Sequence, residues 1–99
     1  MFKLQPANGE GRVTVVFSLE ASPGRSAAVA GSFNDWDPSV TPMRYDPAER
    51  VYKAVMVLEP GEYEYKFVVD GEWRIDEDNP CLAPNDLGTL NSVLKVEAK

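Results

Sequence analysis

Histidine is absent from this 99-residue sequence, and cysteine occurs once, as Cys81. The first absence excludes Ser-His and Cys-His nucleophile activation, and imidazole metal sites with them. The second excludes an internal disulfide. No glycine-rich phosphate cradle is present, and no apolar run approaches the roughly 18 residues of a membrane span. The opening Met1-Phe2-Lys3-Leu4-Gln5-Pro6 lacks the apolar core of a signal peptide. Basic charge is also scarce: ten Lys and Arg, scattered along the chain, face sixteen Asp and Glu, for a net charge of −6. Nucleic acid and anionic membrane surfaces are therefore not expected partners, because both are held by clustered cations. A neutral ligand is not opposed by this charge. The expectation is a cytoplasmic protein that carries no cofactor and no metal.

What is present suits one small β domain. A length near 100 residues is a common domain size, and such a chain buries only about 60–65% of its unfolded surface. That supports one sandwich-type core and leaves little for a deep catalytic cleft. Residues 1–10 are expected as an unpaired lead-in, with residues 11–99 forming the domain. Arg12 to Leu19 alternates, placing Val13, Val15, Phe17 and Leu19 on one face. Ser22-Pro23-Gly24 breaks that strand, and Ala27 to Ser32 is a small-residue strand suited to close packing. Asn34-Asp35-Trp36-Asp37-Pro38 is rich in residues that bond their own backbone, and predicts a turn. Val51 to Leu58 and Glu62 to Asp70 form a hairpin closed by Glu59-Pro60-Gly61. On its second arm Tyr63, Tyr65, Phe67 and Val69 share one face, while Glu62, Glu64, Lys66 and Val68 share the other. Asp70-Gly71 then predicts a tight turn of positive φ leading to Glu72-Trp73-Arg74. Residues 76–88 read as a polar loop, and Thr89 to Glu97 as the last strand, with Leu90, Leu94 and Val96 on one face and Thr89, Asn91 and Val93 on the other. No segment has a capped helical period. Seven or so short strands point to an all-β, immunoglobulin-like antiparallel sandwich.

Catalysis finds little support in these residues. A glycosidase needs two placed carboxylates, but Asp76-Glu77-Asp78 beside Asn79-Pro80 reads as a solvated acidic turn. Cys81 has no neighbouring base and is expected to pack as a small apolar residue. The tryptophans say more. Trp36 and Trp73 both lie in or beside turns, flanked by Asn34, Asp35, Asp37, Glu72 and Arg74 rather than by an apolar alternation. Each alone fits a cap over the open end of a sandwich as well as it fits a binding platform. Together, with Lys66 on the outward face of the strand leading to Trp73, they favour a site. An indole matches the C–H face of a pyranose ring, and covering about 100 Å² at about 25 cal/mol per Å² yields roughly 2.5 kcal/mol per ring. Lys66 and Asn91 supply hydrogen bonds to sugar hydroxyls. Taken alone, Lys66 is a solvated charge, and Thr89 and Asn91 are ordinary polar positions on a half-exposed strand.

Three blocks carry a likeness: Ala30 to Trp36, Tyr63 to Trp73, and Asp86-Leu87-Gly88-Thr89-Leu90-Asn91. In this order and spacing they resemble carbohydrate-binding module family 48, in the glycogen-binding type carried by AMP-activated protein kinase beta subunits. The likeness runs from about residue 12 to residue 97. It implies an early-set immunoglobulin-like sandwich that binds α-1,4-linked glucans such as glycogen, starch and malto-oligosaccharides, without catalysis. It implies Trp36 and Trp73 as stacking rings, and Lys66 and Asn91 as hydrogen-bonding residues. Leu87 becomes the apolar side chain pressing into the bend of the glucan, with Thr89 beside it. The same family includes domains that pack against branching and debranching enzymes. The alternative reading is thus a structural or protein-interaction domain docking on a glucan-metabolising enzyme or kinase-type partner, its aromatics serving as contact anchors. Glucan hydrolysis by this chain alone, a third reading, would release reducing sugar, and none is expected.

Overall fold

In the computed structural model of the protein, which describes residues 1–6 and 11–97, each alternating segment has become a strand. They are β1 (Phe2–Pro6), β2 (Val13–Leu19), β3 (Ala27–Gly31), β4 (Arg44–Asp46), β5 (Val51–Leu58), β6 (Gly61–Val69), β7 (Glu72–Arg74), β8 (Leu82–Pro84) and β9 (Leu90–Val96). Among the described residues there is no helix that is long and apolar enough to cross a membrane. One sheet runs β1-β2-β5-β4 and the other β3-β6-β9-β8, with β7 attached to β6. Every pairing is antiparallel. The result is an all-β sandwich of the immunoglobulin-like kind.

The core lies where the inward faces meet. Val13, Val15 and Phe17 of β2 and Tyr52 and Ala54 of β5 oppose Val29 of β3, Tyr65 and Phe67 of β6, and Leu94 and Val96 of β9. Phe17 stands at the centre, its ring 5.1 Å from Tyr65, 5.7 Å from Phe33 and 6.5 Å from Phe67. Gly31 ends β3 for a packing reason. A methyl group there would run into the carbonyl oxygen of Glu64 and the ring of Phe33.

Four expectations need correction. The lead-in is not wholly unpaired: Phe2–Pro6 lines the free edge of β2, with Phe2 opposite Phe17 and packed against the core. Positions 7–10 lie outside the described residues. The stretch 76–88 is not simply a polar loop, because Leu82–Pro84 pairs with β9. Asp76 is not solvated; it is 2% exposed. Its Oδ2 accepts the Tyr65 hydroxyl at 2.7 Å, and its N–H donates to Ser92 Oγ at 2.8 Å. Asn79, also buried, donates to Tyr65 Oη at 3.1 Å and to the Val93 carbonyl at 2.9 Å. Burial pushes the Tyr65 phenol up from its usual range. Two polar side chains thus fasten this stretch across β6 and β9, where desolvated groups need partners. Finally, Cys81 is exposed rather than packed.

Candidate functional site

The two strands that share one edge of β6 create the site. β9 pairs with Gly61 to Tyr65 and β7 with Phe67 to Val69, so Lys66 stands at the changeover. Beside it the outer face of this sheet opens into a groove of about 860 Å³. Trp36, Lys66, Trp73, Leu87, Thr89 and Asn91, the six residues singled out from the sequence, all line it.

Each is positioned by local chemistry. Trp36 follows β3 in a turn held by Asn34, whose Oδ1 accepts the Gly31 N–H at 2.9 Å and whose Nδ2 donates to the Val29 carbonyl at 3.1 Å. Asp35 and Trp36 adopt φ of 56° and 59°, and the Trp36 N–H bonds the Gly31 carbonyl at 2.9 Å. That ring is half-buried. Trp73 is delivered by the β6–β7 turn, where Asp70 and Gly71 have φ of 50° and 81°, the conformation that two-residue hairpins with Asp-Gly favour. It lies opposite Val68, on the same face as Lys66, and is 45% exposed. Leu87 projects from the β8–β9 turn, 88% exposed. Lys66 Nζ donates to Thr89 Oγ1 at 3.2 Å. Asn91 is 7% exposed, not half-exposed as its strand position suggested, and its Nδ2 donates to Glu64 Oε1 at 3.0 Å.

Reading the sequence missed Ser32, Glu64, Pro84, Asn85 and Asp86, which also line the groove. Glu64 was findable, since it shares the outward face of β6 with Lys66. Asn85 and Asp86 carry no periodic signal. The groove therefore offers two exposed or half-exposed aromatic planes, one projecting apolar side chain, and a ring of donors and acceptors. That combination suits a ligand with both C–H faces and hydroxyl edges. Among the described residues no group of His, Cys, Asp and Glu is placed to hold a metal ion.

The turn that delivers Trp73 is tied to the start of β3 by the Asp70 carboxylate. Asp70 Oδ1 accepts the Ser26 N–H at 2.9 Å and Oδ2 the Arg25 guanidinium at 2.9 Å. These contacts, the Ser26 N–H foremost, hold its carboxyl below the ordinary 3.8. The folded state thus resists protonation more than the unfolded chain does. The stabilisation is present above the ordinary value and lost as pH falls through the lowered one. We expect Asp70→Asn to unfold more readily at neutral pH but to lose less stability than the parent below about pH 4, where the parent's own carboxylate protonates. Circular dichroism across an acid titration tests this, and parallel acid limbs in the two proteins would refute it.

Residues 13–99 match the family model described as the glycogen recognition site of AMP-activated protein kinase. The chain is similar to 5'-AMP-activated protein kinase subunit beta-2 of Mus musculus, 32% identical over 94 residues, covering 95% of this chain and 32% of that protein. It is likewise similar to subunit beta-1 of Sus scrofa, 35% identical over 74 residues, covering 75% of this chain and 57% of that protein. For subunit beta-1 of Bos taurus the identity is 36% over 74 residues, with 75% and 26% covered. The chain spans about a third of the length of the beta-2 relative it matches.

Proposed function

The chain belongs to the glycogen-recognition family of AMP-activated protein kinase beta subunits, a non-catalytic class of module, and from that premise we propose that it binds α-1,4-linked glucan in the groove on its β3-β6-β9-β8 sheet. The observation that carries this reading is the convergence of Trp36, Lys66, Trp73, Leu87, Thr89 and Asn91 on one groove, although they are scattered over much of the chain.

In this reading Trp36 and Trp73 take the C–H faces of neighbouring glucose units. Each ring contributes roughly 2.5 kcal/mol for about 100 Å² covered. Lys66, Thr89 and Asn91 bond the hydroxyl edges, and Leu87 presses into the hollow of a curved glucan chain. After the costs of association, micromolar to millimolar affinity is expected, on the order of 4–8 kcal/mol. A polymer with many equivalent sites is retained well at that strength. Because the relatives are kinase subunits, we also propose that the chain brings glucan to a kinase-type assembly.

Titration with maltoheptaose, followed by tryptophan fluorescence, tests the reading. A saturable change is expected, nearly the same at about 50 and 500 mM salt because the ligand is neutral. It should also hold between about pH 6 and 8, where no side chain of ordinary pKa titrates without histidine. An unperturbed emission at millimolar sugar would overturn it and favour the docking alternative.

A further inference from the structure

One amide side chain ties together the Leu87 side of the groove. Asn85 Oδ1 accepts the N–H of Leu87 at 3.0 Å and of Thr89 at 3.1 Å. Its Nδ2 donates to Thr89 Oγ1 at 2.7 Å and to Asn91 Oδ1 at 3.0 Å. Its main chain closes the same loop: the Asn85 N–H bonds the Thr89 carbonyl at 3.0 Å, and the Gly88 N–H bonds the Asn85 carbonyl at 3.2 Å. Two donors and two lone pairs are all that a primary amide has, so this side chain keeps nothing for a ligand. We propose that Asn85 is the positioning residue of the groove, setting Leu87, Thr89 and Asn91 before ligand arrives. The inference rests on the glucan reading above.

The hydrogen-bond inventory specifies what those residues present. Thr89 Oγ1 accepts from both Asn85 Nδ2 and Lys66 Nζ. Its lone pairs are then filled, and its hydroxyl proton is left to donate outward. Asn91 is oriented from two sides, since Glu64 Oε1 accepts from Nδ2 while Asn85 donates to Oδ1. It keeps one proton and one lone pair for a ligand. Leu87 differs in kind. At 88% exposure it has almost no packing to fix its place, so only the turn that carries it can do so. That turn is built on Asn85. Preordering of this sort raises affinity by removing the ordering cost from the binding step.

Asn85→Ala removes all four side-chain bonds, whereas Asn85→Asp keeps both backbone contacts to Oδ1 and loses the two donations. We expect Asn85→Ala to weaken maltoheptaose binding by about 10- to 100-fold and Asn85→Asp by less. Amide exchange at Leu87 and Thr89 should accelerate in the alanine variant and stay slow in the aspartate variant. Adding Leu87→Ala should cost affinity in the parent but little in the Asn85→Ala background, because an undefined turn no longer places that side chain. A purely structural residue would leave the cost of Leu87→Ala equal in both backgrounds, and that equality would overturn the proposal. So would alanine-variant binding within about twofold of the parent. If the parent itself fails to bind maltoheptaose, the glucan reading falls and this role falls with it. If the parent binds and the variant is unaffected, only this role is lost.

Discussion

Trp73→Ala is expected to bind maltoheptaose roughly 50- to 100-fold more weakly than the parent, the equivalent of about 2.5 kcal/mol, and to melt at nearly the same temperature. The separation follows from where the ring sits. Trp73 is on the three-residue strand β7, which among the described residues pairs only with β6, and its indole is 45% exposed. It does not belong to the core cluster around Phe17, Tyr65 and Phe67, so truncation opens no internal cavity. What is lost is a flat apolar plane beside Lys66. Retardation in a glycogen-containing native gel, read together with a thermal melt, makes the measurement. A variant retarded as strongly as the parent would remove Trp73 from the site. A variant that fails to fold would instead show that the β6–β7 hairpin is needed for stability.

Phe17→Ala should do the reverse. Phe17 is fully buried, and its ring meets three other aromatic rings, two on β6 of the facing sheet and one in the turn after β3. Deleting a buried phenylalanine costs about 3–5 kcal/mol through lost transfer energy and the cavity left behind. A domain of this length has a total stability of only about 5–15 kcal/mol. The melting temperature should therefore fall by at least about 12 °C. Binding measured well below the new transition should remain within about twofold of the parent, because Phe17 faces the core rather than the groove. A fall of less than about 5 °C would mean that the packing around Phe17 is looser than the ring distances indicate.

The two substitutions separate the sandwich from the surface it presents, and the sequence disclosed the two unequally. Period-two alternation identified β2, β6 and β9, because an apolar face repeating every second residue is a local property of the chain. It gave no notice of β1 or β8. Each is a short segment whose strand character comes from pairing with a neighbour's edge, Phe2–Pro6 along β2 and Leu82–Pro84 along β9. Asp76 shows the same limit from another side. Three acidic residues in a row look solvated, yet Asp76 is buried because Tyr65 and Ser92, distant along the chain, supply its partners.

For the groove, composition supplied the excluded chemistries: without histidine, Ser-His and Cys-His nucleophile activation and imidazole–metal sites were never open to this chain. The unusual setting of Trp36 and Trp73 in polar turns was visible residue by residue, and so was the outward face of Lys66. Asn85 was not, because an asparagine in a polar loop becomes a hub only when Leu87, Thr89 and Asn91 fold around it. Sequence thus decided which residue types exist and which face of each strand they occupy, since both follow from side-chain chemistry and the geometry of a single strand. Tertiary structure decided which edges pair, which polar groups are desolvated, and that six scattered residues share one groove. Those outcomes depend on contacts between segments far apart in the chain, and no local pattern encodes them.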